Sequence, residues 1–253
     1  MQNPLVASGK SSAVKFYENK YKNGAEVPKS SKSYAVDLLS QGSALKVLDL
    51  GCGTGGNSQL IASRGHSVKG IDISEAAISK YQENGFDGLV CDIETSSIPQ
   101  KFGIFDAVYC SEVLEHLLDP LAALKKMNSC LKEDGTLILT VPNSSWWLYR
   151  LAALIGKPVS ELQHPMHFQF FSARRLIKLV RDAGFSHLTL SGRNMYLVFP
   201  DLWRRLLSTL MPRFSWQYER RFTTGKNFWH LSSYSQWGNA LFADTLILKA
   251  KKA

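Results

Sequence analysis

The chain lacks the features that mark membrane-spanning, secreted and zinc-binding proteins. No run of about 18 apolar residues, the length that spans a bilayer, occurs in the sequence, and residues 1–17 contain no apolar core of a signal peptide. Cysteine is rare, and no two of the four cysteines are spaced as C-x-x-C: Cys52, Cys91, Cys110 and Cys130. We therefore expect a cytoplasmic protein without disulfides or a zinc site.

Acidic residues are outnumbered by basic ones. The chain has 30 Lys and Arg against 21 Asp and Glu, which gives a formal net charge of +9 at pH 7. More than half of this excess lies between residues 193 and 230. A positive surface permits binding to nucleic acid, to an anionic membrane or to an anionic substrate, and composition does not distinguish these partners.

The length and the apolar content predict one folded domain. The 253 residues are 45% hydrophobic, which is enough for a complete core and close to the upper size of a single α/β domain. We therefore treat residues 1–253 as one domain that carries two insertions, at 143–171 and 193–240.

Residues 45–55 have the pattern of a buried strand that ends in a glycine-rich turn before a helix. Val47–Leu50 has the length and the β-branched character of a central parallel strand. Gly51, Gly53 and Gly55 remove the side chains that would keep a ligand away from the backbone, and amides at the helix start can then face that ligand. This order is typical of a nucleotide-binding crossover.

Asp49 narrows the class of ligand. Gly51, Gly53 and Gly56 also satisfy the pattern G-x-G-x-x-G, which is typical of NAD and FAD sites. However, Asp49 lies two residues before the first glycine and places a negative charge beside the ligand. That charge favours a cationic group, such as a sulfonium or an ammonium, over a pyrophosphate.

The segment Val47–Gly55, V-L-D-L-G-C-G-T-G, resembles the first motif of class I S-adenosylmethionine-dependent methyltransferases, and later segments match this family in order. The resemblance covers roughly residues 45–190 and the last strand. It implies an α/β fold, a Rossmann-like doubly wound sheet of seven strands in the order 3-2-1-4-5-7-6. The last strand would be antiparallel, with helices on both faces, and the cofactor would be S-adenosylmethionine.

Acidic residues end the second and third predicted strands. Asp72 follows the glycine turn by about 20 residues, where the ribose hydroxyls of a bound adenosine need a bidentate acceptor, and we place Ile73 in the same site. The alternative is a strand-end Asp that caps the next helix, although Ser74 can provide that cap. Asp92 and Ile93 resemble the family's acidic loop, in which the Asp accepts from the adenine amino group and the next residue packs on the ring. An ordinary turn residue is the alternative for Asp92.

Residues 111–120 resemble the ubiquinone-biosynthesis-like, small-molecule members of the family. In these members the residue that matches Ser111 contacts the cofactor, and the Glu and the His lie in or near the pocket. If this stretch is helical, Glu112, Glu115 and His116 share one face that could hold a divalent ion. The alternative is a solvated helix start, and we expect no metal.

Two histidines are candidates for a general base. His116 lies in the segment just described, and His167 lies in the first insertion. A hydrogen-bonded structural role is the alternative for His167. Leading helices of the resembled family fold over the cofactor, so Tyr17 or Tyr21 could touch it, and the alternative is an aromatic residue that anchors an N-terminal helix.

Both insertions leave the carboxyl ends of predicted parallel strands, so we expect them to form caps over the substrate site. Within the second insertion, residues 202–210 have the apolar spacing of a short amphipathic helix between Pro200 and Pro212. This helix would either cover the active site as a lid or rest on an anionic membrane as a peripheral contact.

These patterns predict an S-adenosylmethionine-dependent methyltransferase that acts on a small-molecule or a lipid- or glycan-linked acceptor. The acceptor atom stays open between oxygen, nitrogen and carbon. Two other classes stay open: an NAD(P)-dependent oxidoreductase, which shares the glycine turn and Asp72, and a non-catalytic scaffold with a cofactor fold. We do not expect a nucleic-acid acceptor, because no Asn-Pro-Pro-Tyr-type segment follows the fourth strand.

Overall fold

The centre of the molecule is a sheet whose parallel strands are nearly continuous apolar runs. The computed structural model describes residues 14–22, 33–39, 42–199, 215–220, 229–235 and 243–253. The strands are β1 (Lys46–Leu50), β2 (Ser67–Asp72), β3 (Asp87–Val90), β4 (Phe105–Ser111), β5 (Leu131–Pro142), β6 (Phe185–Phe199), β7 (Ser215–Arg220), β8 (Trp229–Ser235) and β9 (Ala243–Lys252). The apolar side chains of β1, β4 and β5 are buried on both faces, as expected for a parallel sheet covered on both sides.

The described strands form one sheet in the order β3-β2-β1-β4-β5-β9-β6-β8-β7. Strands β1 to β5 pair in parallel, and β9 lies antiparallel between β5 and β6. Because β9 is the seventh strand of the predicted set, this arrangement confirms the order 3-2-1-4-5-7-6. Parallel strands extend from β1 in both directions, with β2 and β3 on one side and β4 and β5 on the other. This arrangement is the doubly wound topology.

The structure adds two strands that the sequence did not predict. The sixth strand continues through Phe199, past the predicted start of the second insertion at 193, and pairs antiparallel with β8, which pairs with β7. Parts of 193–240 therefore belong to the sheet, because a strand with an open edge gains hydrogen bonds by pairing. The helix predicted over 202–210 lies outside the described residues.

Helices cover both faces of the sheet. They are α1 (residues 14–22), α2 (Ser33–Asp37), α3 (Gly56–Ser63), α4 (Glu75–Glu83), α5 (Pro120–Ser129), α6 (Trp147–Leu154), α7 (Val159–Leu162) and α8 (Ala173–Asp182), with single 3-10 turns at Gln100–Phe102 and Leu114–His116. Within the described part, no helix is long and apolar enough to cross a bilayer.

Capping residues set most of the helix starts that the sequence predicted. The side chains of Ser74, Asp119 and Ser172 accept hydrogen bonds from backbone amides at the starts of α4, α5 and α8. Ser144 and Ser145, which precede α6 and have the residue type of a helix cap, do not cap it. Trp146 occupies the cap position without a side-chain bond, and the two serine amides donate to the Phe171 carbonyl and to the Asn143 side chain.

The two faces of the sheet bury different clusters of side chains. Leu48 and Leu50 of β1 face the larger cluster, which includes residues of α5 and α8. Val47 faces the opposite side, where residues of α2 and α3 pack. Since side chains alternate along a strand, Asp49 shares the α3 side with Val47. The four cysteines, all in the described part, are buried thiols.

Candidate active site

A cavity of about 240 Å³ opens beyond the carboxyl ends of β1, β2, β3 and β4. The strand order reverses between β1 and β4, and ligands of open α/β sheets bind at such a point. Eight residues predicted from the sequence line this cavity: Gly51, Gly53, Asp72, Ile73, Asp92, Ile93, Ser111 and His116. Three other predicted residues are not among its described lining: Asp49, Gly55 and His167.

The glycine turn has a backbone that only glycine fits well. Gly51 and Gly53 have φ angles of 75° and 53°, in the left-handed region. A Cβ on Gly51 would lie 2.3 Å from Cγ2 of Val113, and a Cβ on Gly53 would lie 2.8 Å from the Tyr21 hydroxyl. Gly55, with φ 97°, is the cap residue of α3, and a Cβ there would lie 3.2 Å from Tyr81.

Asp49 lies behind the turn and does not face the cavity. Its side chain is fully buried, and its Oδ2 accepts a hydrogen bond of 2.6 Å from the hydroxyl of Ser58 on α3. The Ser58 hydroxyl also lies 2.8 Å from that of Tyr81. Asp49 therefore ties β1 to the helix that follows the turn, and any influence on a ligand would act through its charge.

Asp72 holds the glycine turn as well as facing the cavity. Its Oδ2 accepts from the amide of Gly53 at 2.9 Å, and its Oδ1 accepts from the amide of Ser74 at 3.0 Å. Burial raises the pKa of Asp72, while these amide bonds oppose that shift. Each carboxylate oxygen has a second lone pair, so the side chain can still accept from hydroxyl groups of a ligand.

Asp92 both shapes its own turn and lines the cavity. Its Oδ1 accepts from the amide of Glu94 and its Oδ2 from the hydroxyl of Thr95, both at 2.9 Å. The turn interpretation and the ligand-binding interpretation are therefore compatible. Ile93 is 6% exposed and packs in the large cluster below the cavity.

The residues after β4 form an irregular turn. The Ser111 hydroxyl lies 2.6 Å from that of Thr140, and Glu112 adopts a left-handed backbone with φ 57°. The Glu112 amide donates to the carbonyl of Thr140 at 2.9 Å, and the Thr140 hydroxyl donates to Glu112 Oε1 at 3.2 Å. A shared face of Glu112, Glu115 and His116 was expected only if this stretch were helical, and the condition is not met at Glu112, because the regular turn begins only at Leu114.

Helix α1 covers the cavity. Tyr17, Lys20 and Tyr21 line it from this helix, and burial raises the pKa of both tyrosines. The Oε2 of Glu18 accepts from the Ser74 hydroxyl at 2.7 Å and from the amide of Ala76 at 3.3 Å. The first turn of α4 thus holds the covering helix in place.

A family profile described as a methyltransferase domain matches residues 22–190 of this chain. The chain belongs to the methyltransferase-domain family. It is a class I S-adenosylmethionine-dependent methyltransferase, so the cofactor predicted from the glycine turn is confirmed. The oxidoreductase alternative is not favoured.

Curated relatives and solved structures agree with this assignment. The methyltransferase is 31% identical over 155 residues to a ubiquinone biosynthesis O-methyltransferase of Chromobacterium violaceum. The matched region covers 58% of this chain and 67% of the relative. A second relative of the same name, from Acinetobacter baylyi, is 29% identical and is covered over 66% of its length. The chain thus spans about two thirds of these relatives.

The fold is shared with solved methyltransferases. One from Thermotoga maritima, described as a possible histamine N-methyltransferase, has a TM-score of 0.59 at 19% identity, with 89% of each chain covered. Another, from Archaeoglobus fulgidus, has a TM-score of 0.57 at 19% identity, with 94% of this chain and 98% of that chain covered. These likenesses show the Rossmann-like fold of the methyltransferase.

The cavity fits the cofactor of the family. Gly51 and Gly53 contribute only backbone to the cavity wall, and Asp72 and Asp92 line the same cavity with their carboxylates. An adenosine needs such acceptors for its hydroxyl and amino groups.

Three histidine rings lie beside the cavity of the methyltransferase. The ring centroid of His116 is 4.8 Å from that of His167 and 6.1 Å from that of His164. His116 Nδ1 lies 2.9 Å from the carbonyl of Met166, and because a carbonyl only accepts, Nδ1 carries the proton and Nε2 is the basic nitrogen. Burial lowers the pKa of His116, and burial followed by the charges of the neighbouring histidines lowers the pKa of His167 to about 4.

Beside the histidine rings lies a group of three side chains, among the residues that the structure describes, that could hold a metal ion. One ligand atom each from Glu115, His116 and His167 lies within 4.8 Å of the others, and Glu115 is 1% exposed. This set replaces Glu112 of the predicted group with His167, because Glu112 belongs to the turn bonded to Thr140. The expectation of no metal stays a prediction.

Sequence reasoning missed several lining residues of the methyltransferase. They are Lys20, Cys52, Asn57, Glu94, Val113 and Leu117. Lys20 could have been found, because Tyr17, Lys20 and Tyr21 are spaced i, i+3 and i+4 and so share one face of a helix. Burial raises the pKa of the Cys52 thiol, which makes it a poor nucleophile.

Proposed function

We propose that this methyltransferase transfers a methyl group to a hydroxyl of a small-molecule acceptor, either free or linked to a lipid or glycan. The observation that carries this proposal is the position of the His116 imidazole in the wall of the cofactor cavity, where burial lowers its pKa. A hydroxyl is a weak nucleophile until a base takes its proton, whereas an amine or an acidic carbon needs that help less. The name of the curated relatives, which are O-methyltransferases, supports the same acceptor atom.

Cofactor binding is assigned to the turn and to the two acidic loops. The Gly51 and Gly53 backbone would pass close to the ligand, and the carboxylates of Asp72 and Asp92 would accept from ribose hydroxyls and from the adenine amino group. Four further residues belong to this site: Asp49 through its charge, and Ile73, Ile93 and Ser111 through the walls of the cavity. Gly55 contributes by starting α3.

His116 would act as the general base. When bound, the cofactor supplies a methyl group that its sulfonium activates for in-line displacement. His116 Nε2 would accept the hydroxyl proton as the acceptor oxygen attacks, and Nδ1 stays bonded to Met166. Because burial lowers its pKa, the ring is neutral and able to accept a proton at pH 7.

His167 would hold the base in position. It contacts the His116 ring, and its own Nδ1 lies 3.2 Å from Oε1 of Gln163. With Nδ1 donating to that amide oxygen, the ring is fixed against His116 from the side of the first insertion. This contact supports the prediction that residues 143–171 form part of a cap over the acceptor site.

The exposed face of α6 supports an amphiphilic acceptor or a peripheral membrane contact. None of the residues of α6 is buried. Its last residue, Leu154, is 82% exposed, and the next residue, Ile155, is 76% exposed. Apolar side chains this exposed favour contact with lipid-like surfaces. The acceptor could then reach the cavity from a membrane surface.

The test combines acceptor discovery with one variant. The protein is incubated with methyl-labelled cofactor and separate fractions of phenolic small molecules, extracted lipids, proteins and nucleic acids. We expect label in the first or second fraction, and His116→Gln should lower turnover by roughly 10²–10⁴-fold while the affinity for S-adenosylhomocysteine stays unchanged. His66→Gln, a buried histidine outside the cavity lining, is the matched control. Label only in protein or nucleic acid, or full turnover of His116→Gln, would contradict the proposal.

A further inference from the structure

We propose that Lys20 and Glu112 together bind the amino-acid end of the cofactor, Lys20 through its carboxylate and Glu112 through its ammonium. The proposal rests on the proposed function, since it concerns the same cavity. It assigns a cofactor-binding role to two residues for which the sequence motifs indicated none, one on the covering helix and one on the turn after β4.

The charges around the cavity identify Lys20. Among the lining residues that the structure describes, Lys20 carries the only permanent positive charge, whereas there are four carboxylates: Asp72, Asp92, Glu94 and Glu112. The Lys20 ammonium lies 5.5 Å and 5.6 Å from the ring centroids of Tyr17 and Tyr21, which hold it over the cavity. A ligand carboxylate in this acidic cavity needs a cationic partner, and among the described lining residues Lys20 provides one.

Hydrogen bonds distinguish Glu112 from the other carboxylates. Asp72 accepts from two backbone amides, Asp92 from an amide and a hydroxyl of its own turn, and Glu94 from the two amides that precede α5. These three hold loops in place. Glu112 accepts from the hydroxyl of Thr140, a neutral donor that orients the carboxylate without balancing its charge.

The backbone of Glu112 is a second, independent observation. Its φ of 57° is uncommon for a glutamate and costs about 1 kcal/mol or more, which a glycine at the same position would avoid. Strained backbone of this kind is frequent at ligand-binding sites. The sheet order places this residue beyond β4, on the opposite side of the β1 turn from Asp72 and Asp92. The two ends of the cavity therefore carry separate sets of carboxylates.

Two ligands that differ only at the amino-acid end test the proposal. S-adenosylhomocysteine carries the carboxylate and the ammonium, and 5′-methylthioadenosine carries neither. Calorimetric titration should show that Lys20→Gln and Glu112→Gln each lose roughly tenfold or more in affinity for the first ligand and stay within about twofold for the second. Lys15→Gln, an exposed lysine of the same helix, should bind both ligands like the wild type.

Equal losses for both ligands would overturn the proposal, because they would show that Lys20 acts by placing α1 and Glu112 by shaping the turn. Wild-type affinity of either variant for S-adenosylhomocysteine would overturn it as well. A wild type that binds 5′-methylthioadenosine but gains nothing from the amino-acid group would overturn it while leaving the proposed function intact. A wild type that binds neither ligand would overturn the proposed function itself.

Glycine variants separate strain from binding. Asp134 also has a left-handed backbone, with φ 58°, at an exposed position of β5 outside the cavity lining. Glu112→Gly and Asp134→Gly should both keep or raise the temperature of unfolding, because glycine adopts this backbone at no steric cost. Only Glu112→Gly should lose affinity for S-adenosylhomocysteine. A Glu112→Gly protein that binds this ligand like the wild type would overturn the role of the carboxylate.

Discussion

At the scale of single residues, the glycine turn depends on a partner far away in the sequence. The motif explains why Gly53 lacks a side chain, and the structure adds that the Tyr21 hydroxyl occupies the space where a Cβ would lie. Tyr21 is 6% exposed, so its ring has little room to move. The requirement for glycine at position 53 is therefore both conformational and steric, and the two parts can be measured separately.

Gly53→Ala should destabilise the fold by about 1–3 kcal/mol, because it combines a left-handed alanine with a contact to the Tyr21 hydroxyl. Removing that hydroxyl with Tyr21→Phe should recover part of the loss in the double variant. Urea unfolding of the four proteins measures the coupling free energy. Strictly additive losses would mean that the hydroxyl does not meet the new methyl group.

At the scale of elements, the covering helix α1 is attached to the first turn of α4 by one side chain. Glu18 accepts from Ser74 and Ala76, and the Ser74 hydroxyl also caps α4 by accepting from the amide of Ala77 at 3.1 Å. These bonds lower the pKa of Glu18. Ser74, which the sequence predicts as the cap of α4, therefore also bonds α4 to α1, a contact that the local pattern did not indicate.

Glu18→Ala should loosen α1 without unfolding the sheet. Hydrogen exchange of residues 14–22 should become faster, and the affinity for S-adenosylhomocysteine should fall, because Tyr17, Lys20 and Tyr21 reach the cavity from this helix. Glu83→Ala is the matched control, since the Glu83 side chain accepts a local bond of 3.3 Å from the Ser79 hydroxyl on the same helix, α4. Unchanged exchange in α1 would show that other contacts hold the helix.

At the scale of the whole molecule, the histidine group links stability to pH. The pKa of His167 falls from 6.5 to about 4 in the folded state, so between these values the unfolded chain binds more protons than the folded one. By linkage, stability should be highest above pH 6.5 and decrease as the pH falls from 6.5 towards 4. His116 and His164 are shifted in the same direction by burial.

Thermal unfolding measured from pH 7 to pH 4 should show this decrease, and His167→Gln should flatten it, because glutamine does not titrate. A variant with the same slope as the wild type would mean that other groups carry the pH dependence. The shift has a functional side as well, since the same burial keeps His116 neutral at the pH at which it would act as a base.

The sequence by itself determined the features that depend on neighbours along the chain. The glycine turn, the acids that follow the cores of β2 and β3, and the caps of α4, α5 and α8 depend on local backbone geometry, and short continuous apolar runs predict the central strands. The family resemblance supplied the strand order, which the structure confirms through β9.

Only the tertiary structure decided which distant side chains meet. Asp49 has the right spacing for a ligand contact, but the parity of β1 turns it towards Ser58. His116 and Met166 are 50 residues apart, and Lys20 reaches the cavity only because α4 holds α1 over it. The extra strands β7 and β8 likewise depend on the open edge of β6. Contacts of this kind arise from packing over long sequence separations, for which a local pattern contains no signal.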